Sequence, residues 1–373
     1  MDYASLARPA VRKLHPYSAG TTVEEAKRRF NLDRVIKLSS NENPRGTSPK
    51  ALAAMEHITG AHLYAGDDHL ELRARLAEPY GLRIENTVLG HGSNEILMMF
   101  FLTFVGPGDE VIMASPTFSL FPADTIVMGA TPVYVPLRAD GVHDLDAMLA
   151  AVTPKTKVVI VCDPNNPSAT CVDPAEFARF ATALPPDVLL FLDQAYREYA
   201  PAKSVEGTDY VKSRRATIVT RTMSKLYGLA SVRFGYGFAD PGMIELLQTV
   251  RVPFNVSRAA TFAAAAALDD DQFRLDTIAM NDLGRADLEA AFTRFGLPYH
   301  ESAANFIAVR VPIVAEDAYT DLLRRGIVVR SGDKLGMPNF LRITIGTPEE
   351  NRELIAALEA VLPAWREHAP VLA

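Results

Sequence analysis

From about residue 51 the chain alternates short, continuous apolar runs with longer stretches in which apolar residues recur every three or four positions. The runs Glu110–Met113, Thr131–Val135, Lys157–Cys162, Val188–Leu192 and Thr217–Thr220 are short and rich in β-branched residues, which predicts strands buried on both faces. Among them, Leu70–Tyr80 carries an amphipathic helical period and Asn94–Val105 an almost wholly apolar one. Strand and helix in alternation predict an α/β fold with a mostly parallel sheet flanked by helices. Loops rich in Gly, Pro and Asn follow these strands, at the edge where open α/β sheets bind ligands.

Past about Asn255 the pattern changes. An alanine-rich helix is expected over Arg258–Leu268, then a long charged amphipathic helix over Asp269–Phe295. Phe306–Val311, Ile327–Arg330 and Leu341–Ile345 read as strands, separated by a helix near Ala315–Arg325 and followed by a last helix from Glu349. These features describe a smaller α+β domain. The first forty residues, with Pro9, Pro16 and Gly20, read as an arm ending in a short strand, Val35–Leu38. The expected division is therefore an arm and small-domain strand over 1–45, a large domain over 46–255 and a small C-terminal domain over 256–373. No internal repeat or low-complexity tract interrupts it.

Composition narrows the class without naming it. The 48% apolar and 22% charged residues suit a globular chain of 373 residues with a large core. A net charge of −7 argues against a nucleic-acid binder, yet leaves room for a small anionic substrate held by buried arginines. The two cysteines, Cys162 and Cys171, have no metal-ligand spacing and read as small apolar fillers. No apolar run is long enough to span a bilayer, and Met1-Asp2-Tyr3 opens no signal peptide, so a cytoplasmic location is the expectation.

Five segments carry candidate chemistry. In Thr222-Met223-Ser224-Lys225, followed by Arg233, a lysine sits directly after a strand. Its amine can form an imine with an aldehyde, while Thr222, Ser224 and Arg233 bind a phosphate on the same ligand. In Asp193-Gln194-Ala195-Tyr196, an aspartate closes a buried strand and needs a partner, for which a protonated pyridine nitrogen serves. Tyr196 can donate to a ring oxygen, and so can Asn166 from the rigid turn Asp163–Thr170. Gly92-Ser93-Asn94 opens the apolar helix, where free N–H groups favour a phosphate, and Phe118 can stack on a planar ring. Singly, each has a plainer reading: a surface Ser-Lys pair, a helix cap, a simple turn, a packed phenylalanine. Jointly, in this order on alternating β/α units, they point to pyridoxal 5′-phosphate.

The same residues resemble the class I/II aminotransferases of the aspartate-aminotransferase fold, and within them most closely the histidinol-phosphate aminotransferases. The marks run nearly end to end: Pro16-Tyr17, Ser40-Asn41-Glu42-Asn43-Pro44, Tyr64, Gly92-Ser93-Asn94-Glu95, Asn165-Asn166-Pro167, Asp193–Tyr196, Ser224-Lys225, Arg233–Tyr236, Ala304-Asn305-Phe306, Val329-Arg330 and Leu341–Thr347. The resemblance implies transamination, with Lys225 as cofactor anchor and proton carrier and 2-oxoglutarate as amino acceptor. It also implies a homodimer in which Tyr64 reaches the partner's cofactor phosphate. Tyr17, Asn43, Arg330 and Arg342 fall where such enzymes hold substrate, Arg342 matching the arginine that grips a carboxylate or phosphate. The chain departs from the pattern at Ser168-Ala169, at Ser18-Ala19, at Ala65-Gly66 and at Asn94. An aromatic-amino-acid aminotransferase, or a decarboxylase, lyase or oxidase using the same cofactor, remains open.

Overall fold

The computed structural model describes residues 1, 3–16, 20–66, 69–214 and 216–367. Tyr17 lies outside the described residues.

Seven strands form the central sheet: β2 (Thr87–Gly90), β3 (Glu110–Ser115), β4 (Thr131–Pro136), β5 (Thr156–Cys162), β6 (Leu189–Asp193), β7 (Thr217–Thr222) and β8 (Gly235–Ala239). Their order is β2-β8-β7-β6-β5-β3-β4, and only β8 runs antiparallel to its neighbours. Alternation along each strand feeds the two layers of the large-sheet core. Ile112, Val159, Val161, Leu190, Leu192 and Val219 join one, beneath helices Leu70–Ala77, Pro174–Ala183 and Gly207–Ser213. Val111, Met113, Val158, Ile160, Phe191 and Ile218 join the other, beneath Ser93–Phe104, Leu120–Val127 and Pro241–Val250. The uniformly apolar runs are the consequence of covering both faces.

The pattern of the sequence misses β2 and β8. Thr-Val-Leu-Gly is too short to show a period, and Gly-Tyr-Gly-Phe-Ala reads as a loop because glycine usually punctuates strands. Here the glycines permit close packing. A Cβ on Gly235 would run into the Ser93 backbone N–H, and one on Gly237 would lie 3.0 Å from Val219 O.

A second core gathers the remaining strands. β9 (Phe306–Arg310), β11 (Arg330–Ser331) and β12 (Phe340–Thr344) form an antiparallel sheet of order β11-β12-β9. β1 (Ile36–Lys37), from the N-terminal segment, pairs in parallel with β10 (Ile327–Val328). Ile327–Arg330, expected as one strand, is therefore divided between two sheets. Leu288, Phe292, Ile343, Leu358 and Trp365 close this core with Ile36 and Leu38. The helix Arg258–Leu268 lies beyond residue 255 in the chain, yet its buried alanines pack with the large-sheet core. Small side chains let it approach helix Pro49–Glu56 closely.

Candidate active site

The C-terminal ends of β5, β6 and β7 open onto a cavity of ≈ 240 Å³. Asp193, the last residue of β6, faces it at 7% exposure, and its Oδ1 accepts from Ala195 N–H at 3.0 Å. Burial raises the carboxyl to about 6, against the opposing pull of that N–H and of Lys225. A carboxylate in this position gains most from a cationic hydrogen-bond donor on a ligand.

Lys225 follows β7 by three residues and extends into the same cavity. Its Nζ donates to Ser40 O at 3.3 Å and sits 5.5 Å from the centre of the Tyr196 ring. Burial, then the charge of Arg342, draws its pKa down to about 8, with Arg233 adding to the effect and Glu42 and Asp193 opposing it. A lysine so perturbed is a nucleophile and proton carrier near neutrality.

One wall is an anion cup. Gly92, in a left-handed conformation at φ 77, caps helix Ser93–Phe104, so Ser93 and Asn94 present the helix N-terminus to the cavity. Glu95 holds the preceding turn, accepting from His91 N–H and Asn255 Nδ2 at 2.6 Å each. Arg233 closes the cup, donating to Ala230 O at 2.9 Å, and its guanidinium occupies the space a Cβ on Gly92 would need. Thr222 Oγ1 and Ser224 Oγ lie 2.9 Å apart on the other side. A helix N-terminus, two hydroxyls and a guanidinium are the donor set for a phosphate.

Asn166 faces the cavity from the turn after β5, while its neighbour Asn165 is wholly buried and bonds the turn to itself through Ser168 Oγ at 2.9 Å. Phe118 lines the cavity edge-on to Phe121, with ring centroids 5.5 Å apart. Tyr196 packs against Phe306 with centroids 5.1 Å apart, and burial raises its phenol to about 12.

The second core supplies the opposite wall. Arg342 on β12 is buried at 9% exposure. It donates from Nη1 to Asn166 Oδ1 and from Nη2 to Ser39 O, each at 2.7 Å, with its guanidinium 5.4 Å from the Phe306 ring centre. Arg330 on β11 is its register partner across the antiparallel pair, and both line the cavity. Like charges directly opposite are unfavourable in a sheet, so the pair is suited to an anionic ligand.

The structure thus brings together Ser93, Asn94, Phe118, Asn166, Asp193, Tyr196, Thr222, Ser224, Lys225, Arg233, Arg330 and Arg342. Two expected residues stand apart. Asn43 does not line the cavity: its Nδ2 donates to Leu226 O at 2.7 Å and its Oδ1 accepts from Arg45 N–H at 3.0 Å, tying down the loop after Lys225. Tyr64 lies on the surface at 78% exposure, stacked on Phe254 with centroids 4.4 Å apart. Conversely, Ser39, Ser40 and Asn41 line the cavity, although none of them had been assigned a role in the site. The signal for Ser40 and Asn41 was the Ser40–Pro44 motif, in which Asn41 takes a left-handed conformation at φ 55. Among the described residues no cluster of His, Cys, Asp and Glu could hold a metal, and no helix is long and apolar enough to cross a membrane.

Comparison with known proteins follows the same lines. The family model for aminotransferase class I and II matches residues 33–358. The histidinol-phosphate aminotransferase of Moorella thermoacetica is 42% identical over 358 residues, covering 95% of this chain and 92% of the relative. Histidinol-phosphate aminotransferase 2 of Pseudomonas fluorescens is 40% identical over 365 residues, covering 97% and 98%. Among solved structures, the histidinol-phosphate aminotransferase of Sinorhizobium meliloti in complex with pyridoxal-5'-phosphate superposes with a TM-score of 0.86 at 28% identity, covering 96% of this chain and 98% of that one.

Proposed function

The chain belongs to the class I and II aminotransferases, and from that premise we propose that it transfers the amino group of L-histidinol phosphate, or a closely related phosphorylated amine, to 2-oxoglutarate. The observation that carries the substrate reading is the facing pair Arg330 and Arg342 across the cavity wall from Lys225. Two guanidiniums match a doubly charged phosphate on the amine and the carboxylates of the acceptor in turn.

Pyridoxal 5′-phosphate fits the donor set of the cavity. The cup of Ser93, Asn94, Thr222, Ser224 and Arg233 suits its phosphate, Asp193 its ring nitrogen, Asn166 and Tyr196 its ring oxygen, Phe118 its ring face, and Lys225 its aldehyde. When bound, the cofactor supplies an electrophilic carbon and a protonated ring that takes up the electron pair left by the broken C–H bond of the substrate. Asp193 keeps that ring protonated. Lys225 Nζ, with its pKa near 8, is neutral often enough at neutral pH to take the proton from the amine-bearing carbon and return it on the other side of the reaction. Arg342, buried and held at both Nη atoms, orients the anionic group of each substrate so that this carbon stands beside Lys225. The exposed Tyr64 is read as a contribution to the site of a second copy in a homodimer, and the enzyme as cytoplasmic.

A single-turnover screen tests the reading. The purified, cofactor-loaded protein is mixed separately with L-histidinol phosphate, phenylalanine and tyrosine, without an acceptor, and both the substrate consumed and the carbonyl product formed are counted. One equivalent per site from histidinol phosphate, with turnover restored by 2-oxoglutarate, is the expected result. One equivalent from the aromatic amino acids alone would make it a different aminotransferase, and continued turnover without an acceptor would make it a decarboxylase, lyase or oxidase. Lys225→Ala loses both the visible absorbance of bound cofactor and all turnover.

A further inference from the structure

A run of hydrogen bonds leads from the backbone of Asn41 to the Tyr196 hydroxyl, and its direction is fixed. The Asn41 N–H, which can only donate, points at Thr344 Oγ1 at 3.0 Å. The Thr344 proton then meets Asn41 Oδ1 at 3.2 Å, which orients the amide. Asn41 Nδ2 consequently donates to Tyr196 Oη at 3.0 Å. The reversed amide would leave the proton of Thr344, a residue 3% exposed, without an acceptor, and buried hydroxyls are rarely left so. Asn41 itself is locked in its left-handed conformation, its carbonyl accepting from the buried Asn305 Nδ2 at 3.0 Å. Tyr196 Oη has therefore accepted its bond from the protein, and its own proton is left for the cavity that Tyr196 lines.

We propose that Asn41 and Thr344 are positioning residues that compel Tyr196 to act as a hydrogen-bond donor into the cavity, so that the site selects, and keeps ionised, a ligand oxygen at that point. The inference rests on the reading that Lys225 carries pyridoxal 5′-phosphate, whose ring oxygen would be that acceptor. Donation to an ionised oxygen stabilises the ionised form, so it lowers the pH at which the lysine-bound cofactor titrates. Each link in a buried polar chain also polarises the next.

The test is a spectral pH titration of the cofactor-loaded protein and its variants, read independently of turnover. Tyr196→Phe raises the midpoint by about one pH unit, the scale of one hydrogen bond to a charged group. Thr344→Val raises it in the same direction, and Thr344→Ser, which keeps the hydroxyl, restores the wild-type value. Asn41→Asp turns the donor into an acceptor that competes for the Tyr196 proton. Its shift therefore shrinks by at least half in a Tyr196→Phe background, where only the added charge still acts. A Thr344→Val midpoint equal to wild type, or full additivity of the changes at 41 and 196, would overturn the proposal. Should Asn41→Asp not retain cofactor, the Val and Ser variants of Thr344 decide alone. If the wild type shows no titrating lysine-bound chromophore, the reading of Lys225 fails instead, which is a separate outcome.

Discussion

The acidity of Lys225 makes a prediction that depends on identified neighbours. An ordinary lysine titrates near 10.5, and this one is drawn down to about 8. At pH 7 the neutral amine is then about one tenth of the population, against about one part in three thousand for an ordinary lysine, a gain of ~300-fold in nucleophile. The assay is the second-order rate at which cofactor-free protein captures pyridoxal 5′-phosphate, followed by absorbance from pH 6 to 10. The rate should climb tenfold per pH unit and level off near pH 8. The charges around Nζ then permit two perturbations of opposite sign. Arg342→Leu removes the largest electrostatic contribution depressing the amine, so the plateau moves to higher pH and capture at pH 7 slows. Glu42→Gln removes a charge that raises it, so the plateau moves to lower pH and capture quickens. A rate still climbing at pH 10 in the wild type, or two variants that move together, would refute the account of burial plus neighbouring charge.

Three further outcomes follow from separate parts of the molecule. Arg342→Lys keeps the charge but loses the fork that reaches Asn166 and Ser39 together. The KM for the anionic acceptor should rise about 10- to 100-fold while cofactor capture keeps its pH profile, and an unchanged KM would contradict the assigned role. Gly228→Ala should destabilise the fold by about 2–4 kcal/mol, because the residue sits at φ 67 and a Cβ would run into the Gly46 carbonyl rather than into a flexible side chain. Urea unfolding that matches wild type would show that the loop can give way. Arg221→Met removes a buried cation that donates to Gln194 Oε1 at 2.9 Å and to Glu206 Oε1 at 2.6 Å. A loss of about 3–5 kcal/mol in the same assay is expected, since Gln194 Oε1 loses a donor and Glu206 and the half-buried Glu198 lose their Arg221 counter-charge, with Arg197 and Arg274 left nearby.

How legible each part was depends on whether its signal is local. β3, β5 and β6 each bury both faces, and an uninterrupted run of four or five apolar residues reports it, whereas β7 is equally buried with only Ile218 and Val219 apolar among threonines and Arg221. Asp193 was legible as the polar residue where such a run stops, and Lys225 as a lysine just past a strand, flanked by Thr222 and Ser224 and followed by Arg233. Gly235 and Gly237 misled because their purpose is close approach to Ser93 and Val219, residues far away in the chain. Val329 carries the apolar pattern unbroken from β10 into β11, so nothing local says that two sheets share that run. Asn43 was assigned to the site and Asn41 was not, although both sit in one motif. What separates them is the Thr344 hydroxyl and the Asn305 amide, more than 250 residues away and close only once the second core has formed.

The division of the cavity between two cores has a consequence for specificity. Asp193 and Thr222 end strands of the seven-stranded sheet, Ser93 and Asn94 open a helix packed against it, and Lys225, Ser224 and Arg233 lie in the connection between β7 and β8. Arg330 and Arg342 stand on a separate three-stranded sheet with its own core, and Arg342 meets the cofactor wall mainly through Asn166. Substitutions along β11, and along β12 at positions other than Arg342 and Thr344, can therefore change which anionic group is recognised without disturbing Lys225, Asp193 and the anion cup. The segment 39–41 limits that freedom. Ser39 O accepts from Arg342, Ser40 O from Lys225, and Asn41 donates to Tyr196, so three consecutive residues hold Arg342, Lys225 and Tyr196 in one register.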